Sequence, residues 1–251
     1  MKKIDFYINS IDTEDGVFDL KVAENMCNTF LYPEFLLKKY SQIKCIDDKA
    51  IKRVLDVGCG AGPLSVFFAK KGKMVEAIDI NPIAIECCKV NILENNLQEL
   101  MTVRKVGIEE YKSTEKYDMI VCNPPYGDDS YMRKNMSSNL EVIIRKMNKN
   151  IFDAEVDDFL TNCWKDKNGK DMVDYILEKS NELLNSKGYI LLVCGNDFID
   201  SKKYMTDKVV RYSDIEIKYQ ESFRENICLV DGEEKYSCEK IYNILVFQMK
   251  I

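Results

Sequence analysis

Arg53-Val54-Leu55-Asp56-Val57-Gly58-Cys59-Gly60-Ala61-Gly62-Pro63 decides how the rest of the chain is read. Val54 to Val57 is a short apolar run expected to form a buried strand. Glycines at 58, 60 and 62 let the backbone turn tightly and approach a ligand without Cβ clashes. Pro63 suits the first turn of a helix running to Lys71, because its ring presets φ and its missing N–H is not needed there. A glycine-rich turn between a strand and a helix is where doubly wound sheets place cofactors. The spacing is G-x-G-x-G, not the G-x-G-x-x-G of dinucleotide folds.

Outward from this turn the chain alternates between strand and helix patterns. Met74 to Ile80 reads as a second strand and Pro82 to Asn95 as a helix with apolar Ile83, Ile85, Val90 and Leu93. Met101 to Val106 and Tyr117 to Cys122 read as further strands, Asp171 to Leu184 as a helix, and Tyr189 to Cys194 as a fifth strand. Ile215 to Tyr219 and Ile241 to Met249 are close enough to pair as an antiparallel edge. The expectation is an α/β, Rossmann-like, mostly parallel seven-stranded sheet with helices on both faces and an antiparallel C-terminal edge hairpin. Residues 1–50 are read as an N-terminal helical cap region, with one or two short helices between Val22 and Tyr40 interrupted near Pro33. Residues 51–251 form the main domain.

Residues 127–170 interrupt the alternation on the substrate side. Such an insertion is too long for an ordinary connection. Leu140 to Ile151 reads as a helix within it. Arg133, Lys134, Arg145, Lys146 and Lys149 stand against the single acid Glu141, and four acids follow between Asp153 and Asp158. The segment is either a solvated surface helix or a lid.

The composition narrows the function classes. A chain of 251 residues that is 46% hydrophobic can bury a sizeable core. It contains no histidine, which excludes His-ligated zinc and His-based proton transfer. The ten cysteines include no C-x-x-C pair and fall largely on expected strand ends and a helix, so reduced thiols are expected. No apolar run approaches a membrane span and no signal peptide is visible, so a cytoplasmic protein is expected. The formal charge of −6 mildly disfavours a large nucleic-acid partner.

Two further features carry chemistry. The second strand ends at Asp79, followed by Ile80, and an acid there can accept hydrogen bonds from ribose hydroxyls. It could equally serve a turn or a helix cap. The fourth strand runs into Asn123-Pro124-Pro125-Tyr126. Two prolines end the strand stiffly, and the first keeps Asn123 extended. The Asn123 side-chain oxygen and a carbonyl of the turn can both accept from one NH2 group, and the Tyr126 ring can cover a planar amide or base. An Asn-Pro turn also describes an ordinary strand-to-loop connection.

Together these residues resemble class I S-adenosylmethionine-dependent methyltransferases. More narrowly they resemble the group that modifies planar nitrogens, which comprises release-factor glutamine methyltransferases and adenine-N6 and guanine-N2 methyltransferases. The resemblance spans roughly residues 51–195. Asn168-Gly169-Lys170-Asp171-Met172 is similar to the G-x-D segment of the glutamine enzymes. Phe30 and Pro33 are similar to an N-terminal motif that closes over the methionine end of the cofactor.

The resemblance implies S-adenosyl-L-methionine as cofactor. It implies a cofactor-binding set of Asp56, Gly58, Cys59, Gly60, Gly62, Asp79, Ile80, Ile108, Glu109 and Asn123. Within that set the glycines border the methionine part, Asp56 orders the glycine turn or reaches the ammonium through water, and Asp79 holds the ribose. Asn123 and the Pro124 carbonyl would hold the target nitrogen, with Tyr126 packed on its plane. The family places an acid near the adenine after the third strand. Here Ile108 stands at that position, and Glu109 is one residue further on.

The expected reaction is N-methylation of a protein glutamine or another small planar amide or amine, with no membrane partner. The alternatives are methylation of a nucleic-acid base, favoured if the basic 133–149 segment lines the pocket, and a non-catalytic protein of the same fold.

Overall fold

The computed structural model describes residues 4–24, 31–124, 168–195, 200–231 and 234–250. Seven strands form one sheet: β3 (Arg53–Val57), β4 (Met74–Asp79), β5 (Met101–Lys105), β6 (Tyr117–Cys122), β7 (Leu184–Gly195), β8 (Ile215–Asp231) and β9 (Glu234–Met249). Their spatial order is β5-β4-β3-β6-β7-β9-β8. The pairs from β5 to β7 are parallel, and β9 joins β7 and β8 antiparallel. The chain steps outward from β3 through β4 to β5, then returns to β6 on the other side of β3. That reversal opens a crevice at the carboxyl ends of β3 and β6, where open α/β sheets bind ligands.

Alternate residues along the central strands feed two cores, one on each face. Val54, Met119, Val121, Leu191 and Val193 belong to the core on the side of α1 (Leu31–Leu37), α2 (Pro63–Lys70) and α3 (Pro82–Glu94). Leu55, Val57, Ile120, Ile190 and Leu192 face α4 (Met172–Leu183) and α5 (Ser201–Val209). Both faces are covered, which is why the central strands read as continuous apolar runs.

The N-terminal region differs from the helical expectation. Residues 6–23 form an antiparallel hairpin of β1 (Phe6–Thr13) and β2 (Gly16–Ala23), separate from the main sheet. Val22 is therefore a strand residue. The period-two burial of Phe18, Leu20 and Val22 is the signal for this strand. The turn is closed by Thr13 Oγ1, which donates to Gly16 O at 2.7 Å, with Gly16 at φ +116°. Pro33 does not interrupt a helix. It sits in the first turn of α1 (Leu31–Leu37), where proline is tolerated.

Two other expectations shift. On α3 the buried residues are Ala84, Ile85, Cys87, Cys88, Asn91 and Ile92, whereas Leu93 is exposed. The tail strands are also far longer than expected. β8 and β9 pair from Ile215↔Met249 to Asp231↔Glu234, but β7 accompanies β9 only as far as Gly195↔Tyr242. The remainder runs on as a two-stranded ribbon past the carboxyl edge of β7. Charged residues such as Arg224, Glu225, Glu239 and Lys240 hide that continuation from a search for apolar runs.

Candidate cofactor and acceptor site

The glycine turn has left-handed backbone at all three glycines, with φ of +72° at Gly58, +56° at Gly60 and +92° at Gly62. L-residues with a Cβ resist that region, so the residue type follows from the turn. Gly58 and Cys59 donate their N–H groups to Ile78 O at 2.8 and 3.1 Å, and Gly62 donates to Cys59 O at 2.9 Å. Gly62 is the N-cap of α2 and Pro63 its first residue.

Two carboxylates organise this turn. Asp56 is buried in β3 and its Oδ2 accepts from the Ser65 N–H at 3.1 Å and the Ser65 hydroxyl at 2.6 Å. It thereby tethers the first turn of α2 to the strand that feeds it. Burial pushes the Asp56 carboxyl up to about 7, against the Ser65 hydrogen bonds and with a further push from Asp79. Asp79 Oδ2 accepts from the Gly60 N–H at 2.9 Å, while Oδ1 accepts from the Asn81 N–H at 2.8 Å. Burial also raises the Asp79 carboxyl, opposed by the N–H groups of Asn81, Gly60 and Ile80. Asn81, rather than Asp79, caps α3, its side chain accepting from the Ile83 N–H at 2.9 Å.

The rest of the expected set surrounds the end of β4. Ile80 stands beside Asp79 with its side chain 57% exposed, an uncovered apolar surface at the rim. Ile108 is buried in the core with Val57, Ile78 and Tyr111. The Glu109 carboxylate folds back over Gly107, where a Cβ would clash with both of its oxygens. Gly107 follows directly on Val106, whose N–H donates to Asp79 O at 3.0 Å.

Asn123 and Pro124 follow the neighbouring strand, β6. β3 and β6 pair up to Asp56↔Val121. Gly58 and Asn123 each lie two residues beyond that last pair, one just past the carboxyl end of each of these adjacent strands. Asn123 is half-buried and Pro124 buried. Pro125 and Tyr126 lie outside the described residues, as do Phe30 and the expected helix from Leu140 to Ile151.

One residue on this wall has no role in the sequence reading. Met172, the first residue of α4, lies against Gly58, where an added Cβ would come 3.2 Å from its Cε. The Cys122 thiol donates to its sulfur at 3.5 Å. Met172 is held there by the Gly169–Asp171 segment. Asp171 and Asp174 form a reciprocal capping box at the start of α4. Lys208 of α5 binds both carboxylates, at 3.2 Å to Asp171 and 2.5 Å to Asp174, and the Tyr204 hydroxyl donates to Asp171. The segment was legible as a motif, but its packing against Gly58 depends on α4 folding over the sheet.

Cys59, Cys87, Cys88, Cys122 and Cys194 are free and buried. Burial contributes to raising the thiols of Cys59, Cys87, Cys122 and Cys194, and for Cys59 the neighbouring Cys88 contributes most. Among the described residues no group of His, Cys, Asp and Glu could hold a metal, and no helix is long and apolar enough to cross a membrane.

This crevice fits a cationic nucleoside ligand. Its turn presents backbone at left-handed glycines, burial raises both carboxyls with Asp79 adding to the rise at Asp56, and a nearby positive charge would favour their ionised forms.

Two family models match the chain. The Methyltransferase small domain covers residues 41–140, and the Eco57I restriction-modification methylase covers residues 91–221, over half of the chain. The chain belongs to the class I S-adenosylmethionine-dependent methyltransferases.

Relatives of this methyltransferase include enzymes named for tRNA and enzymes named for ribosomal proteins. A tRNA1(Val) (adenine(37)-N6)-methyltransferase of Aliivibrio fischeri is 34% identical over 32% of this chain and 35% of its own length. A ribosomal protein uL3 glutamine methyltransferase of Bradyrhizobium diazoefficiens is 30% identical over 58% of this chain and 41% of its own. The chain thus spans well under half the length of these curated relatives. The Thermus thermophilus 16S rRNA N2 G1207 methyltransferase, solved with AdoMet and guanosine, shares the fold with a TM-score of 0.59. It is 14% identical, over 99% of this chain and 51% of that one.

Proposed function

We propose that this chain transfers a methyl group from S-adenosylmethionine to a planar amide or amine nitrogen, with a protein glutamine or similar amide as the acceptor. The observation that carries the reading is that the glycine turn and Asn123 leave the carboxyl ends of two adjacent parallel strands, β3 and β6. When bound, the cofactor supplies a methyl group activated by a sulfonium. The glycine turn, Asp56 and Asp79 supply the backbone contacts and negative charge suited to a cation.

Asn123 Oδ1 and the Pro124 carbonyl accept hydrogen bonds from the acceptor NH2. Those bonds aim the nitrogen lone pair and favour its pyramidalisation, which an amide nitrogen needs because its lone pair is delocalised. Orientation and preorganised dipoles therefore carry the acceleration. The methyl–sulfur bond breaks as the nitrogen–carbon bond forms, and the cationic methylated nitrogen gives its surplus proton to water, so no strong base is required in a chain that has no histidine.

The net charge of −6, the Gly169–Asp171 segment and the glutamine-methylating relatives support the amide. The tRNA-modifying relatives support adenine-N6 as a second reading. Incubation with radiolabelled cofactor and separate pools of peptide, tRNA and rRNA tests them. Label in glutamine-bearing peptide supports the first reading, and label in tRNA or rRNA, lost steeply with salt, supports the second. Label in no pool overturns both.

A further inference from the structure

The outer edge of β2 is closed by side chains rather than by another strand. Ala23 N–H donates to the Cys87 thiol at 3.3 Å, and Lys21 N–H donates to Asn91 Oδ1 at 2.7 Å. Asn91 Nδ2 returns a bond to Lys21 O at 2.9 Å, and Asn95 Nδ2 donates to Asp19 O at 3.2 Å. Strand positions 19, 21 and 23 thus meet helix positions 95, 91 and 87. The match is geometric. Four helical residues rise about 6 Å and two strand residues about 6.6 Å, so one face of α3 substitutes for a neighbouring strand.

Asn91 does more than close that edge. The second hydrogen of its Nδ2 donates to Ala61 O, in the glycine turn, at 2.9 Å. Asn91 is fully buried. Its one acceptor and two donors are matched by three backbone groups, a pattern that Asp, Leu or Ala cannot reproduce. The Ala61 carbonyl shares a rigid peptide plane with the Gly62 N–H, which closes the turn onto Cys59 O. Holding one orients the other.

We infer that Asn91 is a positioning residue that couples docking of the N-terminal hairpin to the order of the glycine turn, and through it sets cofactor affinity. The affinity part rests on the reading of this turn as the cofactor site. Coupling is reciprocal, so cofactor binding must in turn tighten the hairpin.

Native-state hydrogen exchange on the full chain, with and without S-adenosylhomocysteine, tests this in the wild type. The amides of Lys21 and Ala23 are expected to gain protection when the ligand binds, and no gain overturns the coupling. Lys21→Pro removes the donor to Asn91 while leaving the Asn91–Ala61 bond in place. It is expected to speed exchange at Gly62 and weaken S-adenosylhomocysteine binding about tenfold. Asn95→Ala, which loses a hairpin bond but has none to the turn, is expected to stay within about twofold. A Lys21→Pro chain that frees the hairpin but leaves Gly62 exchange and affinity unchanged would reduce Asn91 to a local support. Should the wild type bind no S-adenosylhomocysteine, the cofactor reading fails, and Gly62 exchange in the ligand-free Lys21→Pro chain still decides the coupling.

Discussion

Asn123 follows β6 and Asp56 lies in the neighbouring strand β3, and the proposed function gives them different work. Under it, Asn123→Ala removes a hydrogen-bond acceptor for the substrate nitrogen. We expect kcat to fall by about a hundredfold or more, the size of losing one preorganised polar group. S-adenosylhomocysteine affinity, read by calorimetry, should change little. Lost affinity with turnover retained would reverse the assignment. For Asp56 the observable is stability against pH. Its folded pKa of about 7 lies above its ordinary 3.8. Between those values the native state holds more proton than the unfolded chain, so this group's contribution falls as pH rises from about 4 to 7. Asp56→Asn keeps an acceptor for Ser65 and removes the titration. Its urea midpoint should be flatter across that window than the wild type's.

At the scale of the element, the glycine turn separates conformational strain from crowding. Gly60 and Gly62 are both left-handed, but a Cβ on Gly60 meets nothing within 4 Å, whereas one on Gly62 meets Cys88 Sγ at 3.1 Å and Met101 Cε at 3.4 Å. Gly60→Ala should cost about 1–2 kcal/mol of stability from the left-handed backbone alone. Gly62→Ala should cost more, because the buried thiol of α3 and the methionine of β5 must also give way. Equal denaturation midpoints for the two variants would show that the turn relaxes freely. The hairpin edge belongs to the same scale. Cys87, Asn91 and Asn95 stand four residues apart in the sequence, a spacing that puts them on one side of a helix. The meaning of that spacing was not legible, because the partner strand lies some 70 residues away in the chain.

Across the whole molecule, α4 and α5 are locked together on one face by Lys208, Asp171, Asp174 and Tyr204, all close to the Met172–Gly58 contact. Breaking a buried ion pair from one side leaves a stranded charge. Lys208→Met should therefore cost roughly 3–5 kcal/mol, read as a lowered thermal midpoint. The double variant Lys208→Met with Asp174→Asn should recover part of that loss. Burial raises the Asp174 carboxyl, but its bonds to Lys208 and to the Asp171 backbone outweigh this and hold it below 3.8. Its contribution is present above the unfolded value and is lost as pH falls through the folded one, so this lock opens only in strong acid.

Residues 53–63 and the strand–helix alternation after them were enough to read a parallel sheet, because strands buried on both faces declare themselves as apolar runs. Asp79 and Asn123 were legible for a related reason: each ends such a run. The N-terminal hairpin was not, although Phe18, Leu20 and Val22 alternate, because the apolar positions from Val22 onward also suited a helix. Only the tertiary structure puts Gly58 and Asn123 at the ends of adjacent strands, buries Ile108, lays Met172 against the turn and joins Asn91 to both Lys21 and Ala61. Local sequence records periodicity and turn chemistry. Which distant residues meet is decided when the sheet register and the helix faces are settled together.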